Sequence, residues 1–202
     1  MPIDEPLSTS AWTWRRLAAL IPSTREVSAR ESTVARFLSD PVANFGIVTN
    51  DWRHLPAPAR PIAATTDAAV TAARARDREA LAEAVADLAA LDQPQTRLIL
   101  GTAVRLLLED THPDGLDGDD VREVLERCVR SAAQWLPEVD PHVILVLLAG
   151  ALGVLDDEEP PPKPDALALH ATVLLADLLQ QRSMADYLTA ALMEIERAQL
   201  ND

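Results

Sequence analysis

Chemistry in this chain would have to start from four histidines, one cysteine and a run of aspartates. The histidines, His54, His112, His142 and His170, fall in no His-x-x-x-His or His-Glu-x-x-His pattern, the spacings that bring two imidazoles to one helical face around a metal. Glu109-x-x-His112 occurs once. A carboxylate-bridged metal pair in a bundle needs that motif on two helices plus further inward Glu, so His112 reads as a helix-end residue near a negative C-terminal dipole. Asp110, Asp114, Asp117, Asp119 and Asp120, with Gly115 and Gly118, offer the oxygens hard cations prefer. Counted as a calcium loop from Asp110, however, the third position is His112 and the twelfth is Val121. These acids are expected to serve turns and helix caps, and neither metal nor other cofactor is expected.

Cys128 lies in an apolar stripe with Val121, Leu125, Ala132 and Trp135, with no nearby histidine in sequence to ionise it. Apolar surroundings raise a thiol pKa, so it reads as a small core residue. His170 also sits in an apolar segment, near Leu167 and Leu174. An imidazole between bundle helices is one way to select the polar group of a ligand, which makes His170 the single pointer to a pocket. Trp12, Trp14, Arg15 and Arg16, with Trp52 and Arg53, combine residue types enriched at interface hot spots. They are candidates for an interface, or for packing the N-terminal part onto its own body.

Charge and aromatics divide the 202 residues unevenly. The first 60 positions carry seven Arg against six acids and hold Trp12, Trp14, Phe37, Phe45 and Trp52; the rest carries 11 basic and 26 acidic residues with only Trp135 and Tyr187. The formal charge of -14 argues against nucleic acid and anionic membrane, which recognise a surplus of Lys and Arg. The longest apolar run, Val143 to Leu155, is 13 residues, short of the roughly 20 that span a bilayer. An acidic opening segment and a lone thiol predict a cytoplasmic chain.

The elements that would position these residues are helical. Short helices are expected near 10–20 and 28–38, followed by an irregular stretch from Pro41 to Thr66 with at most a scrap of strand at 46–49. A helix ending at Leu91 starts at Asp67 or restarts near Asp77. Asp92-x-x-Gln95 opens the next, to about Asp110, before His112-Pro113. Asp120-x-x-Glu123 caps one ending before Pro137; Asp140-Pro141 opens the apolar segment to Leu155; Pro164 opens one to Gln181, and Ser183-x-x-Asp186 the last. Segment 141–155 is apolar on every face, the mark of a central helix, and Gly150 and Gly153 would allow close neighbours. The expected architecture is all-α: an antiparallel bundle of about six to eight helices (67–202) with an aromatic- and Pro-rich N-terminal arm (1–66). The alternative is a short HEAT-like array of helical hairpins, since two helix pairs begin about 45 residues apart.

P-loop, G-x-G-x-x-G, G-x-S-x-G and Cys-x-x-Cys patterns are missing, and there are only six Gly, so no catalytic constellation stands out. The first functional expectation is a non-catalytic protein–protein interaction or scaffold domain presenting its acidic surface, and the aromatic arm, to a protein partner or a second copy. The alternative is a small-molecule-sensing regulator domain with a ligand pocket in the bundle. Regulators of this size carry a basic helix-turn-helix, whereas Arg25, Arg30 and Arg36 lie on a short predicted helix with no clear turn before it.

Overall fold

Local chemistry sets most helix starts in the computed structural model, which describes residues 51–155 and 161–201. The expected helices at 10–20 and 28–38 and the strand at 46–49 lie outside the described residues. A 3-10 turn at Trp52–His54 is closed by the Asp51 carboxylate, which accepts from the Arg53 N–H at 3.0 Å. It leads to seven α-helices among the described residues.

The first, α1 (Ala59–Ala75), overturns the expectation of an irregular chain up to Thr66. Pro58 stands at the N-cap and Pro61 in the first turn, where the missing N–H has no intrahelical partner to lose. From there Ala59, Ile62, Ala63, Thr66, Ala69, Val70 and Ala73 follow helical spacing and are buried. A boundary drawn between residues 66 and 67 thus falls inside α1. The proline-rich approach is tied down by Leu55, which is buried, and by Arg60, whose guanidinium donates to the Leu55 and Arg53 carbonyls at 2.8 and 3.1 Å.

Of the two starts expected for the helix ending at Leu91, Asp67 or a restart near Asp77, the structure takes the restart. Arg76 adopts a left-handed backbone (φ 57°), its N–H donates to the Ala73 carbonyl at 3.1 Å, and the Asp77 N–H reaches the Ala72 carbonyl at 3.0 Å. This is a Schellman ending with Arg where Gly is usual. Asp77 then caps α2 (Arg78–Ala90) by accepting from the Ala80 N–H. Asp92 accepts from the Gln95 N–H to open α3 (Gln93–Thr111), which ends at His112. For α4 (Gly118–Ala132) the cap is Asp117, not Asp120. Asp120 sits three residues inside, and its carboxylate accepts from the Asp117 N–H in a reciprocal box. Asp140 caps α5 (Pro141–Ala151), which is shorter than the apolar run because the chain turns through Gly153 (φ 69°). The last two helices are α6 (Pro164–Leu179) and α7 (Met184–Asn201).

The central element is α6, not the more uniformly apolar α5. It packs against each of α1, α2, α3, α4 and α5 and buries ten side chains, among them Leu167, Val173, Leu174, Leu175, Leu178 and Leu179. At about 1.5–3 kcal/mol per large aliphatic side chain buried, it is the largest single contributor to the core. α5 has only 11 residues, and its Leu147 stays half exposed. Nor do its glycines bring helices together. A Cβ on Gly150 would meet only the Leu155 side chain at 3.8 Å, and Gly153 supplies a positive φ at the helix end.

The hairpin-array alternative does not describe this packing. In an open array each unit touches its neighbours only, whereas α1 packs on both α6 and α7, and α3 packs chiefly on α7 and α6 rather than pairing with α4. The described residues form an all-helical bundle.

Arg76 carries the αL cost borne by a residue with a Cβ. Arg76→Gly should therefore stabilise the fold by about 1 kcal/mol, offset in part by the freer unfolded chain, and raise the urea midpoint. An unchanged or lower midpoint would mean that the Arg76 side chain contributes contacts outweighing its backbone cost.

Candidate functional site

Three helices meet imperfectly on one side of the bundle. Where α3, α5 and the start of α6 come together they leave an open groove of about 570 Å³. Leu98, Leu100, Gly101 and Val104 of α3 form one wall; Val146, Leu147, Gly150 and Ala151 of α5 form another; Pro162, Leu167, Ala168 and Ala171 close it from the α6 side. This volume lies in the range of small-molecule sites, and the lining is dominated by apolar side chains. Leu98 and Leu155 are 49% and 43% exposed at its edge.

Two features of α3 distinguish the groove from an ordinary surface crease. Gly101 stands in the middle of the helix, where glycine costs about 1 kcal/mol relative to alanine. No atom lies within 4 Å of where its Cβ would be, so close packing does not require it; what the missing side chain leaves is space. Thr96 lines the same groove, is 3% exposed, and its hydroxyl has no hydrogen-bond partner among the described residues. Beside it the exposed Arg97 makes one long bond, from Nε to the Gln93 carbonyl at 3.4 Å, and no ion pair with a described carboxylate.

The residues singled out from sequence lie elsewhere. His170 is buried, but both ring nitrogens are committed: Nδ1 is 2.7 Å from the Ala166 carbonyl, and Nε2 accepts from the Asp140 N–H at 2.7 Å. The carbonyl fixes the proton on Nδ1, and the ring fastens the start of α5 to α6. His170 does not line the groove. Trp52 is half buried on the 3-10 turn and stacks on His54 with ring centroids 6.4 Å apart, and His54 Nε2 lies 3.3 Å from the Thr189 hydroxyl of α7. Arg53 extends into solvent with only a 3.8 Å approach to Asp51. Trp12, Trp14, Arg15 and Arg16 lie outside the described residues.

Four of the five aspartates of the acidic loop are taken up by structure. Asp110 pairs with Arg182 at 2.9 Å and accepts from the Tyr187 hydroxyl at 2.7 Å, raising the phenol's pKa through burial and the adjacent carboxylate. Asp119 pairs with Arg122, and backbone N–H donors of Asp120 and Asp119 lower the Asp117 carboxyl below its usual range. Glu109 pairs with Arg105 at 2.7 Å, while His112 Nδ1 lies 3.0 Å from the Leu108 carbonyl. Among the described residues no group of three or more metal-binding side chains comes together, and no helix is long and apolar enough to cross a membrane.

No family model, curated protein or solved structure matches the chain. The groove is therefore read from its own chemistry. Sequence inspection missed it because its walls come from three separated helices; the one local signal was a glycine amid the helix formers of α3.

A second, smaller hollow of about 230 Å³ is polar and is lined by Arg74, Arg76, Cys128, Ser131, Trp135 and Asp177, whose carboxylate pairs with Arg127 at 3.0 Å. Burial, with the Asp177 carboxylate adding to it and Arg127 opposing, pushes the Cys128 thiol up to about 12.

Two outcomes follow. His170→Ala strands the Asp140 N–H and the Ala166 carbonyl and opens a cavity, and should lower stability by about 2–4 kcal/mol in urea denaturation; a loss under about 0.5 kcal/mol would show the imidazole is not the tie. The Cys128 pKa is raised on folding from about 9, so its contribution is complete below pH 9 and falls as the unfolded chain ionises between pH 9 and about 12. Wild type should lose up to about 1.4 kcal/mol per pH unit there relative to Cys128→Ala, read as the difference between their denaturation midpoints. Parallel pH profiles would contradict it.

Proposed function

We propose that the domain is a non-catalytic binding module that takes an apolar small molecule into the groove between α3, α5 and α6. The observation that carries this reading is Gly101: a stability-costing residue in mid-helix that no neighbour requires and that helps keep the groove open. The acidic surface supports partner recognition less well, because many of its carboxylates act as caps (Asp77, Asp92, Asp117, Asp140) or sit in ion pairs (Glu109, Asp110, Glu138, Asp177, Glu194). The net charge of -14 supports a ligand other than nucleic acid, and the single cysteine a cytoplasmic setting.

A protein-interaction role is the second reading. It draws on Leu98, Val154 and Leu155, exposed near or on the groove edge, which a helix with an apolar stripe would cover.

The test uses N-phenyl-1-naphthylamine, a neutral fluorophore that brightens in apolar sites. One equivalent should bind the full chain, and Gly101→Phe, which fills the groove, should weaken binding about tenfold to a hundredfold while the variant still melts cooperatively. No saturable binding to wild type, or equal binding to the variant, would defeat the ligand-binding reading. In that event, loss of self-association or partner binding in Leu98→Asp would favour the interaction role.

A further inference from the structure

We propose that the ligand of this groove is a free single-chain amphiphile bearing a carboxylate, with its aliphatic chain along the apolar walls and its head at Arg97. The inference rests on the groove being the working site and adds the charge of what occupies it. The walls supply no ion pair: Leu98, Leu100, Val104, Val146, Leu147 and Leu167 offer only apolar contact. Specificity must come from the few polar groups present, and these are cationic or donor-rich. Among the described residues Arg97 is the one ionised side chain lining the groove, and it forms no ion pair with a described carboxylate.

Arg78, Arg105, Arg122, Arg127, Arg130 and Arg182 have carboxylate partners, whereas Arg97, like Arg60, Arg74, Arg76 and Arg197, shows none among the described residues; of these, Arg97 is the one on the groove. Lys163, the only lysine, follows the groove-lining Pro162 as N-cap of α6, and it likewise shows no described ion pair. The N-terminal halves of both α3 and α6 line the groove, and the positive ends of these two dipoles favour an anion against the single opposing C-terminal half of α5. The Thr96 hydroxyl, buried in the same wall without a partner, adds an unused donor. A guanidinium and a carboxylate match in shape as well as charge. A membrane as the source of the head group is disfavoured, because a chain of net charge -14 is repelled by an anionic bilayer.

Displacement of N-phenyl-1-naphthylamine is measured with decanoate, decan-1-ol and decylamine, which share a chain and differ in head charge. Wild type should bind decanoate about threefold to fivefold more tightly than the alcohol, with the amine weakest, since an ion pair to an exposed guanidinium is worth up to about that factor. In Arg97→Gln the preference for decanoate over decan-1-ol should fall to near unity, and Arg97→Lys should restore part of it. Arg97 is exposed, so both variants are expected to fold, which thermal melting checks. Equal affinity for the three heads, tightest binding of the amine, or a carboxylate preference that survives Arg97→Gln would overturn the proposal, as would sedimentation with anionic vesicles without decanoate binding. If the neutral probe itself does not bind, it is the groove reading that has failed.

Discussion

The enclosure of α6 is the constraint from which the rest of the bundle follows. A helix apolar on nearly every face has no stable position except inside, and five other helices pack against it to provide one. Its two buried polar side chains fit only because they are satisfied within reach: Thr172 donates to the Ala168 carbonyl at 2.8 Å, and His170 is bonded at both nitrogens. The second of those bonds reaches outside α6 and sets where α5 begins. One core imidazole thus couples the central helix to a wall of the groove.

Peripheral ion pairs follow from this arrangement rather than cause it. Arg105–Glu194 and Arg182–Asp110 tie α3 to α7 and to the turn before it, and Arg78–Glu138 joins α2 to the turn before α5, all with side chains substantially exposed. Such pairs contribute about 0–1 kcal/mol each, so they specify neighbours more than they stabilise the whole.

Several helix boundaries were legible in the sequence from a single aspartate, because a cap is made within three residues. Asp77, Asp92 and Asp140 act as their positions suggested. At Asp117-Gly-Asp-Asp120 two carboxylates compete for the cap and the first wins, since the second can serve as its reciprocal partner. The prolines at 58 and 61 suggested irregular chain, yet they open a helix: position within the first turn decides what proline does. The centre of the bundle was not legible from apolarity alone. Segment 141–151 is the more hydrophobic, but 164–179 is longer and so is reached by more partners. The groove was less legible still. His170 was the residue type one expects in a pocket, yet core geometry uses it fully, and the space lies beside a glycine and an arginine that carry no motif.

The junction between α1 and α2 has a consequence beyond its local bonds. Arg76 and Asp77 finish one helix and begin the next with no residue to spare, and Asp77 serves both ends at once. The chain there has no slack in length. An added or deleted residue would turn α2 about its own axis, carrying Leu81, Val85 and Leu88 away from α6. Insertions and deletions are better accommodated in the largely exposed segment around 113–116, before the Asp117 cap. Length at this one turn, more than the identity of either residue, is what descent of this sequence must preserve.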